Sequence, residues 1–234
     1  MPVFRLTDDN ILFPPPHLAQ DGLLAMGGDL SPERLIAAYR NGIFPWYSEG
    51  SPILWWSPDP RMIMFPKKIH IARRLRRTLR RGEFHVAADT AFPEIIAQCA
   101  HTPRQDQGGT WILPEIIRAY TLLHTRGYAH SVECWRDGEL VGGLYGVSVG
   151  AAFFAESMYS KVSNASKAAL VALAMHCRRR QDIFIDCQMP TAHLARMGAQ
   201  PVPRQEFLTL LKEATQQRAA RGPWKLAPDL FQDI

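Results

Sequence analysis

Between Ala168 and Met175 the chain reads AALVALAM, with no polar position. A helix that is apolar all round has to be packed on more than one side. No run in the chain approaches the length of a membrane span, so protein must cover this helix. Strand patterns lie on both sides of it. AHSVECWR and ELVGGLYGVSVG flank Asp137-Gly138, a strong hairpin signal. Gly150 closes the second of these strands and AAFFAESMY makes a third, while IFIDCQ follows the helix as a short buried strand. Three antiparallel strands, a buried helix and a further strand describe a mixed α/β (α+β) fold.

Shorter helices complete the pattern. Ser31 as N-cap, Pro32 at the first position and Asn41-Gly42 as the stop enclose one carrying Leu35, Ile36 and Tyr39. Residues 91–100 and 114–126 read as two more, the second with Ile116, Tyr120 and Leu123 on one face. PTAHLARMG is a short helix stopped by Gly198, and 205–220 a last amphipathic one through Phe207, Leu208 and Leu211. Loops, Pro and Gly dominate the first sixty residues. The sequence therefore divides into a small N-terminal domain rich in loops, 1–61, and a larger one, 62–234.

The stretch GIFPWYSEGSPILWWSPDPR, residues 42–61, holds three tryptophans and four prolines. Pro45, Pro52, Pro58 and Pro60 exclude a long helix and disfavour flat sheet pairing. A stiff, irregular loop is expected, presenting Trp46, Trp55 and Trp56 either as core or as platforms for a flat ligand such as a nucleobase.

Charge favours the nucleobase. The chain carries a net +5, and Lys67–Arg81 reads KKIHIARRLRRTLRR. Ile71, Leu75 and Leu79 form a narrow apolar stripe, with Gly82 as the stop. Arg73, Arg74, Arg76, Arg77, Arg80 and Arg81 cover the rest of that surface. Six arginines in nine residues point to an anionic partner. A narrow stripe without aromatic residues favours nucleic-acid phosphates over a membrane.

The four cysteines form no C-x-x-C pair and have no His at zinc spacing, so no metal is expected. The N-terminus lacks a signal-peptide stretch, and a cytoplasmic protein is expected. There is no GxxxxGK[ST] and no G-x-G-x-x-G, and no cofactor is expected. The informative exceptions are polar residues inside apolar strands: Glu156 in FFAESMY, and Asp186 and Gln188 in IFIDCQ. Alternation places Asp186 and Gln188 on one face, where both could reach one ligand.

The segments GLLAMGGDLS, GIFPWY, ILWWSPDPR, GTWI, AHSVE, GGLYGV, FFAESMYS, NASKAAL and IDCQ together resemble the leucyl/phenylalanyl-tRNA–protein transferase family, over most of the chain. The resemblance implies a GNAT-like acyltransferase domain. It implies an enzyme that moves Leu or Phe, less readily Met, from aminoacyl-tRNA to proteins with N-terminal Arg or Lys, marking them for N-degron degradation. Trp46 and Trp111 would clamp the 3′-terminal adenosine, with Glu156 beside it. Leu144, Phe153, Met158, Leu170, Leu173 and Ile185 would line the aminoacyl side-chain pocket. Phe153 and Met158 share a face only if their strand carries a bulge. Asp186 and Gln188 would orient the amine and relay its proton. Arg73, Arg76, Arg77, Arg80 and Arg81 would grip tRNA phosphates. Thr191 stands where family members often carry Asn. Two other functions fit parts of the pattern. One is a GNAT-type N-acetyltransferase using acyl-CoA, although SKVSNASKAAL replaces the usual pyrophosphate run. The other is a non-enzymatic RNA-binding protein, which leaves Asp186 and Gln188 without a role.

Overall fold

A computed structural model describes residues 3–102, 110–217, 221–232 and 234. The N-terminal part contains β1 (Phe4–Leu6), β2 (Leu23–Gly27), α1 (Pro32–Arg40), β3 (Phe44–Pro45) and β4 (Leu54–Trp56). Then come β5 (Arg61–Met64), α2 (Arg73–Arg80), β6 (His85–Ala88), α3 (Phe92–His101) and α4 (Pro114–Thr125). The hairpin strands β7 (Ala129–Arg136) and β8 (Glu139–Val149) are followed by β9 (Ala152–Ser160) and α5 (Ala165–Arg180). The chain closes with β10 (Phe184–Gln188), α6 (Ala192–Arg196), β11 (Gln200–Val202) and α7 (Arg204–Gln216).

Two sheets result, a four-stranded one in the order β1-β2-β4-β3 and a seven-stranded one in the order β11-β5-β10-β9-β8-β7-β6. The mixed α/β class expected from the order of elements is the class observed. In the larger sheet β9 and β10 run parallel. Parallel neighbours need a crossover connection, and α5 supplies it. This accounts for its apolar composition. One side of α5 packs on β7, β8 and β9, and another meets α2 and the turn at 66–68. Trp224, Leu230 and Ile234 join its core from the C-terminal segment.

The seven-stranded sheet separates two apolar clusters. The α5 cluster lies on one side, and residues of α1, α3, α4 and α7 make the other. The second cluster also contains Leu24, Phe44 and Trp55, so the interior runs continuously across residue 61. There the chain leaves the small sheet and enters the large one.

Residues 42–61 are more regular than expected. β3 and β4 pair antiparallel through Phe44 with Trp56 and Pro45 with Trp55. Pro45 is tolerated because β3 is an edge strand, where one side needs no ladder donor. Arg61–Met64 and His85–Ala88 are strands the sequence pattern did not reveal, each four residues long. The last helix ends at Gln216, short of the expected 220, and 218–220 lie outside the described residues.

Two irregularities shape the middle of the large sheet. Opposite β8, Tyr145 pairs with Ser157 but Gly146 pairs with Ala155, leaving Glu156 as the extra residue of a bulge. Opposite β5, Ile63 pairs with Asp186 but Met62 pairs with Gln188, which makes Cys187 the extra residue on β10. The β9–β10 ladder stops at Phe154 and Asp186, just before both bulges. Gly146 lets β9 bend here, because a Cβ on it would lie 2.0 Å from the Phe154 carbonyl oxygen and 2.6 Å from the Phe153 ring. Since backbone cannot move aside cheaply, Gly146→Ala should cost about 3 kcal/mol, read as a lower urea midpoint with an unchanged m-value.

Candidate active site

Where the β9–β10 ladder ends, a cavity of about 590 Å³ opens. β9 contributes Glu156, Ser157 and Met158 to its wall, and α5 contributes Leu170. Cys187 and Gln188 come from the end of β10, Thr191, His193 and Leu194 from the α6 region, and Phe44, Pro45 and Trp46 from the N-terminal part. Trp111, from the turn before α4, closes it.

Of the residues proposed from sequence, Trp46, Trp111, Glu156, Met158, Leu170 and Gln188 meet around this one space. Leu144, Phe153, Leu173 and Ile185 do not line it. They are fully buried in the cluster that contains Leu170 and packs on Met158, one layer behind the wall. The bulge at Glu156 carries Phe153 and Met158 into the same cluster.

Asp186 is displaced from its expected position. The bulge at Cys187 and a left-handed Gln188 (φ +60°) break the simple alternation. Gln188 reaches the cavity, whereas Asp186 is completely enclosed against Arg61. Arg61 Nε lies 2.9 and 3.1 Å from the two carboxylate oxygens, and Nη2 lies 2.6 Å from Oδ2. The guanidinium carbon sits 4.8 Å from the Phe44 ring centroid and 4.7 Å from that of Phe207. This is a fully dehydrated, forked ion pair between two aromatic faces. Asp186 acts on the site through the backbone, because its Oδ1 accepts from Gln188 N–H at 2.8 Å.

The Gln188 side chain then bridges the gap between the strands. Its Nε2 donates to Glu156 Oε1 at 2.7 Å. Tyr120 Oη donates to Glu156 Oε2 at 3.4 Å, and the Tyr39 and Tyr120 hydroxyls are in hydrogen-bond contact. Burial, above all, pushes the Glu156 carboxyl up to about 8; the nearby Asp186 charge adds to this, and the Tyr39 and Gln188 hydrogen bonds oppose it. At neutral pH Glu156 is mostly a neutral acid. Arg61, Tyr39 and Tyr120 are the site residues that sequence reasoning missed. Both tyrosines occupy apolar positions of helical stripes, and Arg61 looks like the end of a loop. A single Arg opening the apolar strand RMIM is the one signal that marked it.

The tryptophans divide by role. Trp55 is fully buried, donates to the Gly27 carbonyl at 2.8 Å and meets Phe13 edge-on. Trp56 donates to the Trp46 carbonyl at 2.7 Å, which fixes the Trp46 backbone. Trp46 and Trp111 also border an adjoining cavity with Tyr47, Glu49 and Trp56, so the two indoles stand between two open spaces. On α2, Arg73, Arg76, Arg77 and Arg81 are exposed, while the Arg80 guanidinium is bonded to the Ile234 carbonyl. Among the described residues no group of His, Cys, Asp and Glu is placed to hold a metal ion. No described helix is long and apolar enough to cross a membrane.

Comparison with known proteins matches two family models. Residues 63–212 match the leucyl/phenylalanyl-tRNA protein transferase model, and 28–59 match the N-terminal domain model of the same family. The chain belongs to this family. A leucyl/phenylalanyl-tRNA–protein transferase from Desulfatibacillum aliphaticivorans is 56% identical over 228 residues, covering 97% of each chain. One from Myxococcus xanthus is 53% identical over 226 residues, covering 96% of this chain and 97% of the relative. Among solved structures, a ribosomal-protein-alanine N-acetyltransferase from Brucella melitensis aligns at 17% identity over 62% of this chain and 97% of its own, with a TM-score of 0.34.

Two stability outcomes follow for this transferase family member. Folded Glu156 keeps its proton up to about pH 8, whereas an unfolded carboxyl releases it near 4.5. The folded state therefore loses stability as pH rises through that window. Glu156→Gln removes this loss, so thermal melts should show the variant gaining on wild type from pH 5 to 8 and holding a constant lead above. Arg61→Met strands a buried carboxylate and should cost about 3–5 kcal/mol, which Arg61→Met/Asp186→Leu largely recovers; denaturant titration of the three proteins checks both effects.

Proposed function

We propose that this chain moves Leu or Phe, and less readily Met, from aminoacyl-tRNA to the α-amine of proteins that begin with Arg or Lys. It would thereby mark them for N-degron degradation in the cytoplasm. The observation that carries this reading is the Gln188 carboxamide. It is fixed at its backbone by Asp186 and at its side-chain nitrogen by Glu156, in a cavity that also presents two indoles and an aliphatic wall.

An adenine held by Trp46 and Trp111 gains roughly 1–3 kcal/mol of stacking. The aminoacyl side chain lies against Met158 and Leu170, with Leu144, Phe153, Leu173 and Ile185 packed behind them. With Nε2 committed to Glu156, Gln188 Oε1 is the end that accepts an N–H from the attacking amine. The amine attacks the ester carbonyl, the C–N bond forms and the C–O bond to ribose breaks. The proton lost by nitrogen leaves with the ribose hydroxyl.

An α-amine with a pKa of about 7.7–8.0 is partly neutral at pH 7, so deprotonation costs only about 1 kcal/mol. Orientation can supply roughly 7–11 kcal/mol. Asp186, neutralised by Arg61, serves as a positioning residue rather than as the base. Glu156, neutral at pH 7, holds Gln188 without placing a second negative charge beside the ester. On α2, Arg73, Arg76, Arg77 and Arg81 hold tRNA phosphates, with Arg80 tying the helix to the C-terminal segment.

The test is transfer of radiolabelled leucine from leucyl-tRNA to a protein beginning with Arg. Label should reach it, and should not reach the same protein with an acetylated N-terminus. Gln188→Ala should lower the rate at least about a hundredfold without unfolding the protein. No transfer by the wild-type protein while tRNA is bound would leave an RNA-binding protein instead.

A further inference from the structure

We propose that Lys167, His193 and Arg196 form an anion-binding rim at the mouth of the cavity. The rim takes a phosphodiester of the strand whose terminal nucleoside sits between Trp46 and Trp111. This rests on the aminoacyl-tRNA reading and adds a phosphate subsite to it, separate from α2.

The placement follows from two helices. Leu170 of α5 lines the cavity. Lys167 is three residues earlier on the same face and one turn nearer the helix start, where side chains tilt. On α6, His193 lines the cavity and Arg196 is its neighbour three residues on. The Lys167 and Arg196 charges both act on the His193 imidazole, which burial and these two cations hold below its ordinary pKa. His193 thus lies close to two cations that come from two elements, and it lines the cavity itself.

Their partners mark them out. Elsewhere on the surface, Lys161 pairs with Glu139, Arg126 with Glu33 and Arg179 with Asp229. Among the described residues neither Lys167 nor Arg196 is in an ion pair. The cavity's own acid, Glu156, is committed to Gln188 and Tyr120. Asp186 behind it is neutralised by Arg61. Lys167 thus stands half-buried without a counter-charge, three residues before Leu170, which lines the cavity. A phosphate supplies the missing charge. A cationic acceptor N-terminus is repelled by the same rim, which assigns this side of the mouth to the nucleic acid.

The experiment compares two donors, leucyl-tRNA and 3′-leucyl-adenosine without phosphates, for the wild-type protein and Lys167→Gln/Arg196→Gln. Both positions are at the surface, and a thermal melt verifies folding. The variant should lose about tenfold of its preference for leucyl-tRNA over leucyl-adenosine, measured as the ratio of kcat/KM. The slope of log KM for leucyl-tRNA against log salt should fall by about 0.7 for each lost contact. An unchanged ratio, or an equal loss with both donors, would overturn the rim. Transfer by the wild-type protein from neither donor would overturn the aminoacyl-transfer reading itself.

Discussion

The pair between Arg61 and Asp186 joins every part of the site. Arg61 is the first residue of β5, where the chain passes from the small sheet to the large one. Its flanking rings come from β3 and α7, so residues far apart in sequence enclose one guanidinium. A dehydrated ion pair does not stabilise a fold cheaply, because the desolvation of two charges offsets most of their attraction. What this pair contributes is position. A carboxylate held by three hydrogen-bond contacts from one fork cannot rotate, and its Oδ1 accepts the Gln188 N–H.

The same logic extends through the backbone. Regular strands would have zipped β9 and β10 together along their length and closed the cavity. Two single-residue bulges on neighbouring strands stop the ladder instead. They turn Glu156 and Gln188 toward each other across the gap. The polar groups there are satisfied in series, from Arg61 through Asp186, Gln188 and Glu156 to the tyrosine hydroxyls of α4 and α1. Each member is enclosed, so a lost link leaves an unpaired buried group rather than a solvated one.

The sequence made the fold legible wherever periodicity was long. The apolar run in α5, the Asp137-Gly138 hairpin and the Ser31-Pro32 start of α1 each carry their own local signal, and each element is present. Strands β5 and β6 were not legible, because four residues do not establish an alternation. In the site, Glu156 and Gln188 stood out as polar residues in apolar strands and Trp46 as an aromatic on a stiff loop, whereas Trp111 was named only by the family resemblance. Alternation put Asp186 and Gln188 on one face, but the bulge at Cys187 lies between them and turns them to different surroundings. Arg61 and the two tyrosines were obscured for another reason. Their role depends on contacts between residues more than thirty positions apart, which no local pattern encodes.

In the proposed reaction the protein orients an amine and does not deprotonate it. The most direct test is the pH dependence of kcat/KM for a series of acceptor peptides whose α-amines differ in pKa, with one aminoacyl-tRNA donor. If positioning carries the reaction, the inflection should move with the pKa of the acceptor amine. An inflection that stays fixed across the series would assign the titration to a base on the protein and contradict the account.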